Sequence, residues 1–478
     1  MGLGAPGPEV RRAFDFLREN LKRYIRILSD LVAIPSVSAI GDHMEECARL
    51  VADLLAERGF RVSVERAGGY PVVLGERRAG GKTILIYDHY DVQPPEPLEA
   101  WDHDPFELSE RGEFLIGRGV ADNKGNIVAR LAALDALEHA LGELPLTVKF
   151  LVEGEEEIGS PNLPRFVEEH REQLKADGGI WETAYVGRRG ELRIPLGFKG
   201  MLYVELVVRG PSRDFHSGYS PIIPNPIWRL VRLACALKDE HGRVLIPGFY
   251  EGIADLGYDV EELLRRIPFD EEELLRELGL KGLVGGVRGL DALRQLYLAP
   301  SLNISGIYGG YTGRGSKTVI PAEAGMKIDI RLVPGQEPGK ILEALKAYLA
   351  EKGFGDVELT IHASYPAGFT RPDAEVVQAS VRAAEQVYGV PPALLPLSAG
   401  SGPIYLFTDV LGIPMTGAGV GYYGSRAHAP NENIRKEDFL RSMEHVVLTL
   451  LLFAQGARGE PAGPAQGQVS ARASTTFR

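Results

Sequence analysis

The sequence predicts an α/β protein: a mainly parallel, doubly covered sheet forming a catalytic domain, with a smaller α+β domain inserted into it. Three observations predict this. The chain has 478 residues, too many for one ordinary domain. Over 1–198, strand-like apolar runs alternate with helical stretches, the pattern of a parallel sheet. After Lys199 the pattern becomes strict apolar–polar alternation, that of an antiparallel sheet with one wet face.

Met44, Cys47, Val51 and Leu54 recur at helical spacing and predict a helix over 42–59. Strands follow over 61–64 and 72–74. The nearly continuous apolar run over 83–87 is expected of a strand buried on both faces. Ile127, Leu131, Leu134 and Leu141 mark another helix. A strand over 146–152, a helix near 163–174 and a short strand over 179–181 complete the first part. In the inserted region, Leu202, Val204, Leu206 and Val208 alternate with Tyr203, Glu205 and Val207. Met326, Ile328, Ile330 and Leu332 repeat that signature, and helices are expected near 227–237 and 339–350. The glycine-rich stretch 303–317 reads as a long loop. The inserted domain is placed at 199–371. The first domain resumes over 372–456, and 457–478, rich in Gly, Ala, Pro, Ser and Gln, is expected to be a disordered tail.

A net charge of −12, from 53 basic and 65 acidic residues, argues against nucleic acid as a partner. No apolar run has the roughly 20 residues needed to span a bilayer. The first residues lack a basic start and apolar core, so no signal peptide is expected. Two cysteines, Cys47 and Cys235, rule out a disulfide framework and suit a reducing cytoplasm, with Cys47 read as a buried thiol.

The chemistry-bearing positions share one setting: strand ends or glycine-rich and polar loops, where an open α/β sheet gathers its functional residues. His89 and Asp91 follow the buried strand, and Asp91 is spaced to orient a metal-bound imidazole. Asp88 is a further carboxylate there. Asp122 lies between a glycine turn and a helix start; alone, such an aspartate is most often an N-cap. Glu155, Glu156 and Glu157 follow the next strand; alone, three like charges read as a solvated loop. Glu182 ends another strand. Asp177 precedes its strand instead of ending it and is a poorer candidate. His428 precedes Ala-Pro-Asn-Glu, and His216 sits in Asp-Phe-His-Ser-Gly within the inserted domain. Imidazoles and carboxylates brought together this way are what a pair of zinc ions takes as ligands.

Six segments, in order, carry a resemblance covering nearly the whole chain except its two ends. They are Tyr-Asp-His-Tyr-Asp-Val-Gln-Pro, Gly-Arg-Gly-Val-Ala-Asp-Asn-Lys-Gly, Glu-Gly-Glu-Glu-Glu-Ile-Gly-Ser, Asp-Phe-His-Ser-Gly, Lys-Thr-Val-Ile-Pro and His-Ala-Pro-Asn-Glu. The sequence resembles the co-catalytic dinuclear zinc peptidases. That family includes carnosinase-type dipeptidases, carboxypeptidase G, acetylornithine deacetylase and succinyl-diaminopimelate desuccinylase. Leu-Ile-Pro-Gly-Phe-Tyr-Glu and Arg-Leu-Val-Pro-Gly-Gln look most like the dipeptidase branch.

The resemblance implies two zinc ions per subunit, with cobalt or manganese as alternatives. His89 and Glu182 would hold one, Glu157 and His428 the other, and Asp122 would bridge them. Asp91 would orient His89, and Glu156 would be the general base acting on a zinc-bridged hydroxide. Arg331, Ser401 and His362 would face the substrate carboxylate. His216 would reach the active site of a partner subunit in a homodimer built through the inserted domain. Two positions depart from the family pattern: Asp88 stands where glycine is usual, and dipeptidases usually carry aspartate at the Glu182 position. The expected activity is hydrolysis of dipeptides or short peptides beside a free carboxylate. The alternative is an N-acyl amino acid deacylase, which shares every catalytic residue. A non-catalytic scaffolding relative is disfavoured, because Glu156 and all the ligand positions are retained.

Overall fold

The apolar run at 83–87 becomes the strand Thr83–His89, near the middle of a six-stranded sheet. In spatial order that sheet runs Arg61–Glu65, Val72–Arg77, Thr147–Glu153, Thr83–His89, Gly178–Trp181 and Met415–Gly417 in this computed structural model, which describes residues 7–456. The last four strands are parallel, and Val72–Arg77 runs antiparallel to Thr147–Glu153. Successive side chains of a strand point to opposite faces. Ile84 and Ile86 therefore pack in one core with the helices Pro8–Val32, Met44–Ala56, Lys124–Leu141 and Lys436–Gln455. Leu85 and Tyr87 pack in another with Leu163, Phe166 and Phe407. Burial on both faces is why this strand carries no polar alternation. Because four strands run parallel, His89, Glu153, Trp181 and Gly417 end along one edge, where a crevice forms.

The long strand Gly197–Arg209 belongs to a second sheet. Its start pairs with Gly368–Phe369 and Ser398–Ser401. Farther along it lies between Glu323–Leu332 and Glu358–Tyr365, with Ser301–Gly309 at the outer edge. Leu202, Val204, Leu206 and Val208 are buried against the helices Pro226–Leu237 and Pro338–Glu351. Met201, Tyr203 and Glu205 stay half-exposed on the opposite face.

Two expectations need correction. Only the first part of the loop expected over 303–317 is strand, up to Gly309, because Ser301–Gly309 pairs with Glu323–Leu332. Its glycines mark irregular pairing, not its absence. The register slips between Ile304 and Gly306, and Gly309 takes φ +148, a conformation side chains rarely adopt. The helix expected over 163–174 is two helices, Leu163–Glu169 and Arg171–Leu174, interrupted at His170. Cys47 is buried and Cys235 exposed, both unpaired. The expected tail at 457–478 lies outside the described residues.

Helices Glu375–Tyr388 and Lys436–Gln455 meet at a buried polar contact in which His445 Nε2 lies 3.1 Å from the Ser380 hydroxyl. Burial pushes the His445 pKa down from 6.5 to about 4, with the nearby Arg130 charge adding to it. Above about pH 6.5 the imidazole is neutral in folded and unfolded chains alike, so its packing contributes fully. Between about 6.5 and 4 only the unfolded chain takes up the proton, so stability falls as pH falls. Across that window the wild type should lose on the order of 3 kcal/mol relative to His445→Gln. Urea unfolding at a series of pH values checks this; parallel curves for the two proteins would refute it.

Candidate metal centre

His89 ends its strand fully buried. Its Nδ1 lies 3.1 Å from the Asp91 carbonyl and 3.2 Å from Asp91 Oδ1, both acceptors, so Nδ1 carries the proton and donates. Nε2 then faces the crevice, 3.1 Å from Asp122 Oδ1, 3.2 Å from Glu182 Oε2 and 4.0 Å from Glu156 Oε2. The other oxygen of Asp122 lies 3.1 Å from His428 Nε2, which is 3.3 Å from Glu157 Oε2. Asp122 thus sits between two groups, His89 with Glu182 and His428 with Glu157. Ligand atoms of Asp122, Glu157 and His428 all lie within 4.8 Å of one another.

The local backbone explains how these residues arrive. Asp91 accepts the backbone N–H groups of Glu156 (3.3 Å) and Glu157 (3.0 Å), so one carboxylate aims His89 and seats the turn Glu156–Ile158. That turn divides the glutamate run. Glu155 is turned away and accepts from Tyr70 N (3.1 Å) and Asn162 N (3.2 Å), which leaves Glu156 and Glu157 at the crevice. His428 is held at φ +64, a left-handed conformation uncommon for a non-glycine residue.

This arrangement concentrates negative charge in a largely buried crevice. Burial raises the pKa of Glu156 and Glu182, and neighbouring carboxylates raise both further. Burial alone would lower the pKa of His89, but Glu182, Asp122, Asp91 and Glu156 together hold it well above the ordinary imidazole range. Hydrogen bonds to Asp122 and Glu157 lift His428 to about 11. Buried Glu182 Oε2 has no hydrogen-bond partner. Two imidazoles that face only acceptors, a bridging carboxylate and an orphaned carboxylate oxygen fit a pair of divalent cations.

The substrate-facing candidates gather on the second sheet. Arg331 and Tyr365 both pair with Met201, from opposite sides, and the Ser401 hydroxyl donates to the Gly200 carbonyl at 2.9 Å. Arg331 and Ser401 therefore meet at one short segment of Gly197–Arg209. His362 does not join them; its Nε2 donates to Glu205 Oε2 at 3.1 Å on the exposed sheet face. His216 is exposed, and its Nδ1 accepts the N–H of Gly218 at 3.0 Å; it makes no contact with the cluster among the described residues.

Sequence reasoning missed Gln93, whose Nε2 donates to Glu157 Oε2 at 2.9 Å. It also missed Glu432, which accepts from Arg118 Nη1 (2.8 Å) and from the N–H groups of Gly119 (3.1 Å), Ala121 (2.9 Å) and Asp122 (3.1 Å). Both stand inside recognised segments, so their type was visible but their partners were not. Tyr365 is a third: burial and the Glu156 charge raise its pKa while the Arg331 charge opposes them.

A model of the peptidase family M20/M25/M40 matches residues 85–452, well over half of the chain. The chain belongs to peptidase family M20/M25/M40. Within that family it is similar to the Cys-Gly metallodipeptidase DUG1 of Candida albicans, 30% identical over 89% of this chain and 94% of the relative. The human Beta-Ala-His dipeptidase is 26% identical over 94% of each. Among solved structures, the M20 family metallo-carboxypeptidase Sso-CP2 from Sulfolobus solfataricus superimposes with a TM-score of 0.86 at 39% identity, covering 90% of this chain and 99% of that one. These likenesses agree with the dipeptidase branch, and this M20 chain is a metal-dependent peptidase.

If Asp122 serves both cations, Asp122→Ala should leave the purified protein with little bound divalent metal. Glu182→Gln should weaken only the ion on the His89 side. Elemental analysis after gel filtration checks this; full metal content in Asp122→Ala would remove that residue from the bridging position.

Proposed function

We propose that this chain hydrolyses the amide bond of dipeptides or short peptides next to a free carboxylate. The observation that carries the reading is Glu156. It is half-buried and stands 4.0 Å from His89 at the margin of a cluster poor in positive charge. His89 and Glu182 would hold one zinc ion, Glu157 and His428 a second, and Asp122 both. When bound, the ions would supply Lewis acidity to the scissile carbonyl and to the attacking water.

The protein's own groups do the rest. The Glu156 carboxylate takes the proton of the attacking water and returns it to the leaving nitrogen. Such a proton relay is what a positioned carboxylate supplies in acid–base catalysis. The Arg331 guanidinium pairs with the substrate carboxylate, and Ser401 lies beside it. His362 takes part only by exchanging Glu205 for the substrate. Relatives named as dipeptidases and a carboxypeptidase support a peptide with a free carboxyl end.

A second copy of the chain would complete the site. Trp228 and Ile222 are 68% and 79% exposed, and Ile304 and Ile307 lie on the edge strand Ser301–Gly309. Exposed Trp228 on helix Pro226–Leu237, exposed Ile222 in the turn before it and an open sheet edge support a homodimer through the inserted domain. In it, His216 of each copy would donate to the oxyanion in the other's crevice. No helix among the described residues is long and apolar enough to cross a membrane, and the unpaired cysteines support a cytoplasmic setting.

Glu156→Gln should keep its metal and its fold while turnover falls roughly 10²- to 10⁴-fold, the usual worth of a positioned acid–base group. Mixed with His216→Ala, it should regain part of the activity; silence from a verified mixed dimer would remove His216 from the partner's site. Arg331→Ala should lose roughly 10- to 100-fold in kcat/KM on dipeptides, for charge-assisted bonds of about 1.5–3 kcal/mol. It should lose little on dipeptide amides. A panel that includes N-acetyl and N-succinyl amino acids tests the substrate class, and faster turnover of those would favour a deacylase.

A further inference from the structure

Beneath the candidate ligands lies a layer of buried polar side chains that the reaction does not use. On Thr83–His89, Ile84 and Ile86 face the core shared with helix Lys124–Leu141, and Asp88 follows them in phase. There Asn123 Nδ2 donates to Asp88 Oδ1 at 3.1 Å, and Arg130 Nε lies 3.8 Å from Asp88 Oδ2. Arg130 Nη2 donates to the carbonyls of Ala418 (2.5 Å) and Glu182 (3.1 Å). All three side chains belong to fully buried residues.

Their places in the chain matter more than their number. Asp88 adjoins His89, Asn123 adjoins Asp122, and Arg130 holds the main chain of Glu182 itself. One helix therefore grips three segments that arrive from different strands and loops. The unit is not arranged for hydrogen-bond economy. Asp88 Oδ2, Arg130 Nε and Nη1, and Asn123 Oδ1 all lack hydrogen-bond partners. A buried ion pair with loose ends is weak evidence for stability. It does fix where charge and backbone sit under the crevice. By contrast, Arg58 binds Asp135 through two hydrogen bonds of 2.9 and 3.0 Å in the same core, beside no candidate ligand.

We propose that Asp88, Asn123 and Arg130 form a positioning unit that sets the spacing of His89, Asp122 and Glu182 for a divalent cation. The inference rests on the reading of those three as ligands. The unit touches neither substrate nor cation; it acts through the residues it holds.

The test is titration of the metal-stripped full chain with Co²⁺, followed by visible absorption and calorimetry. Arg130→Met and Asp88→Asn should each weaken one of two Co²⁺ sites by about 10- to 100-fold, as loss of groups behind the ligands typically does, and alter its absorption spectrum. Arg130→Lys should recover part of that loss. Arg58→Met should lower the melting temperature while leaving both affinities and the spectrum unchanged. If Arg130→Met loses thermal stability as Arg58→Met does yet binds Co²⁺ like the wild type, the unit is core packing and the proposal is overturned. Should Arg130→Met not fold, wild-type affinity and spectrum in both Arg130→Lys and Asp88→Asn overturn it equally. A wild type that takes up no Co²⁺ defeats the ligand reading itself, a separate failure visible before any variant is compared.

Discussion

Asp122, Glu156, Glu157 and Glu182 crowd one crevice that water reaches only in part, and like charges so placed repel. Two imidazoles answer part of that charge, and a divalent pair would answer the remainder. Holding acids this close takes a frame that does not yield. Much of the surrounding polar structure serves as that frame. Asp91 ties a strand end to the neighbouring turn, and Glu432 gathers three backbone N–H groups and a guanidinium around the Asp122 loop. Neither carboxylate points at the crevice with a free role. Both hold backbone that carries a residue which does.

The cluster of candidate ligands and the proposed carboxylate-binding residues grow from different sheets. Parallel strands deliver His89 and Glu182 to one edge, an outcome of strand direction that needs no special sequence. Arg331 comes from an antiparallel sheet whose other face is buried, so alternation alone presents the guanidinium on the half-exposed side. The strand Gly197–Arg209 joins the two regions. It pairs with Ser398–Ser401 at one end and with Glu323–Leu332 beyond, so a substrate carboxylate near Gly200 and Met201 would meet groups from both.

Much of the architecture was legible because burial writes itself into periodicity. The run at 83–87 read as a strand covered on both sides, and the alternation after Lys199 as one with a wet face. Where periodicity was silent, reading failed. The strand Ser301–Gly309 is rich in glycine and lies at an edge, so composition resembled a loop while backbone pairing made it a strand. His170 broke a helix that apolar spacing alone would have continued.

The same division holds at the crevice. The residue types and their local settings were in the sequence: His89 and Asp91 after a buried strand, Asp122 before a helix, glutamates after another strand, His428 beside Pro-Asn-Glu. The sequence by itself therefore determined the chemistry available, because side-chain type and strand-end placement are local properties. Only the tertiary structure decided which glutamate of the run turns away to bind Tyr70 and Asn162. It alone put Gln93 against Glu157, and only it brought Arg130 under both Asp88 and Glu182. Those pairings join segments far apart in the chain. Their partners are chosen by packing and strand register, which no stretch of sequence read alone contains.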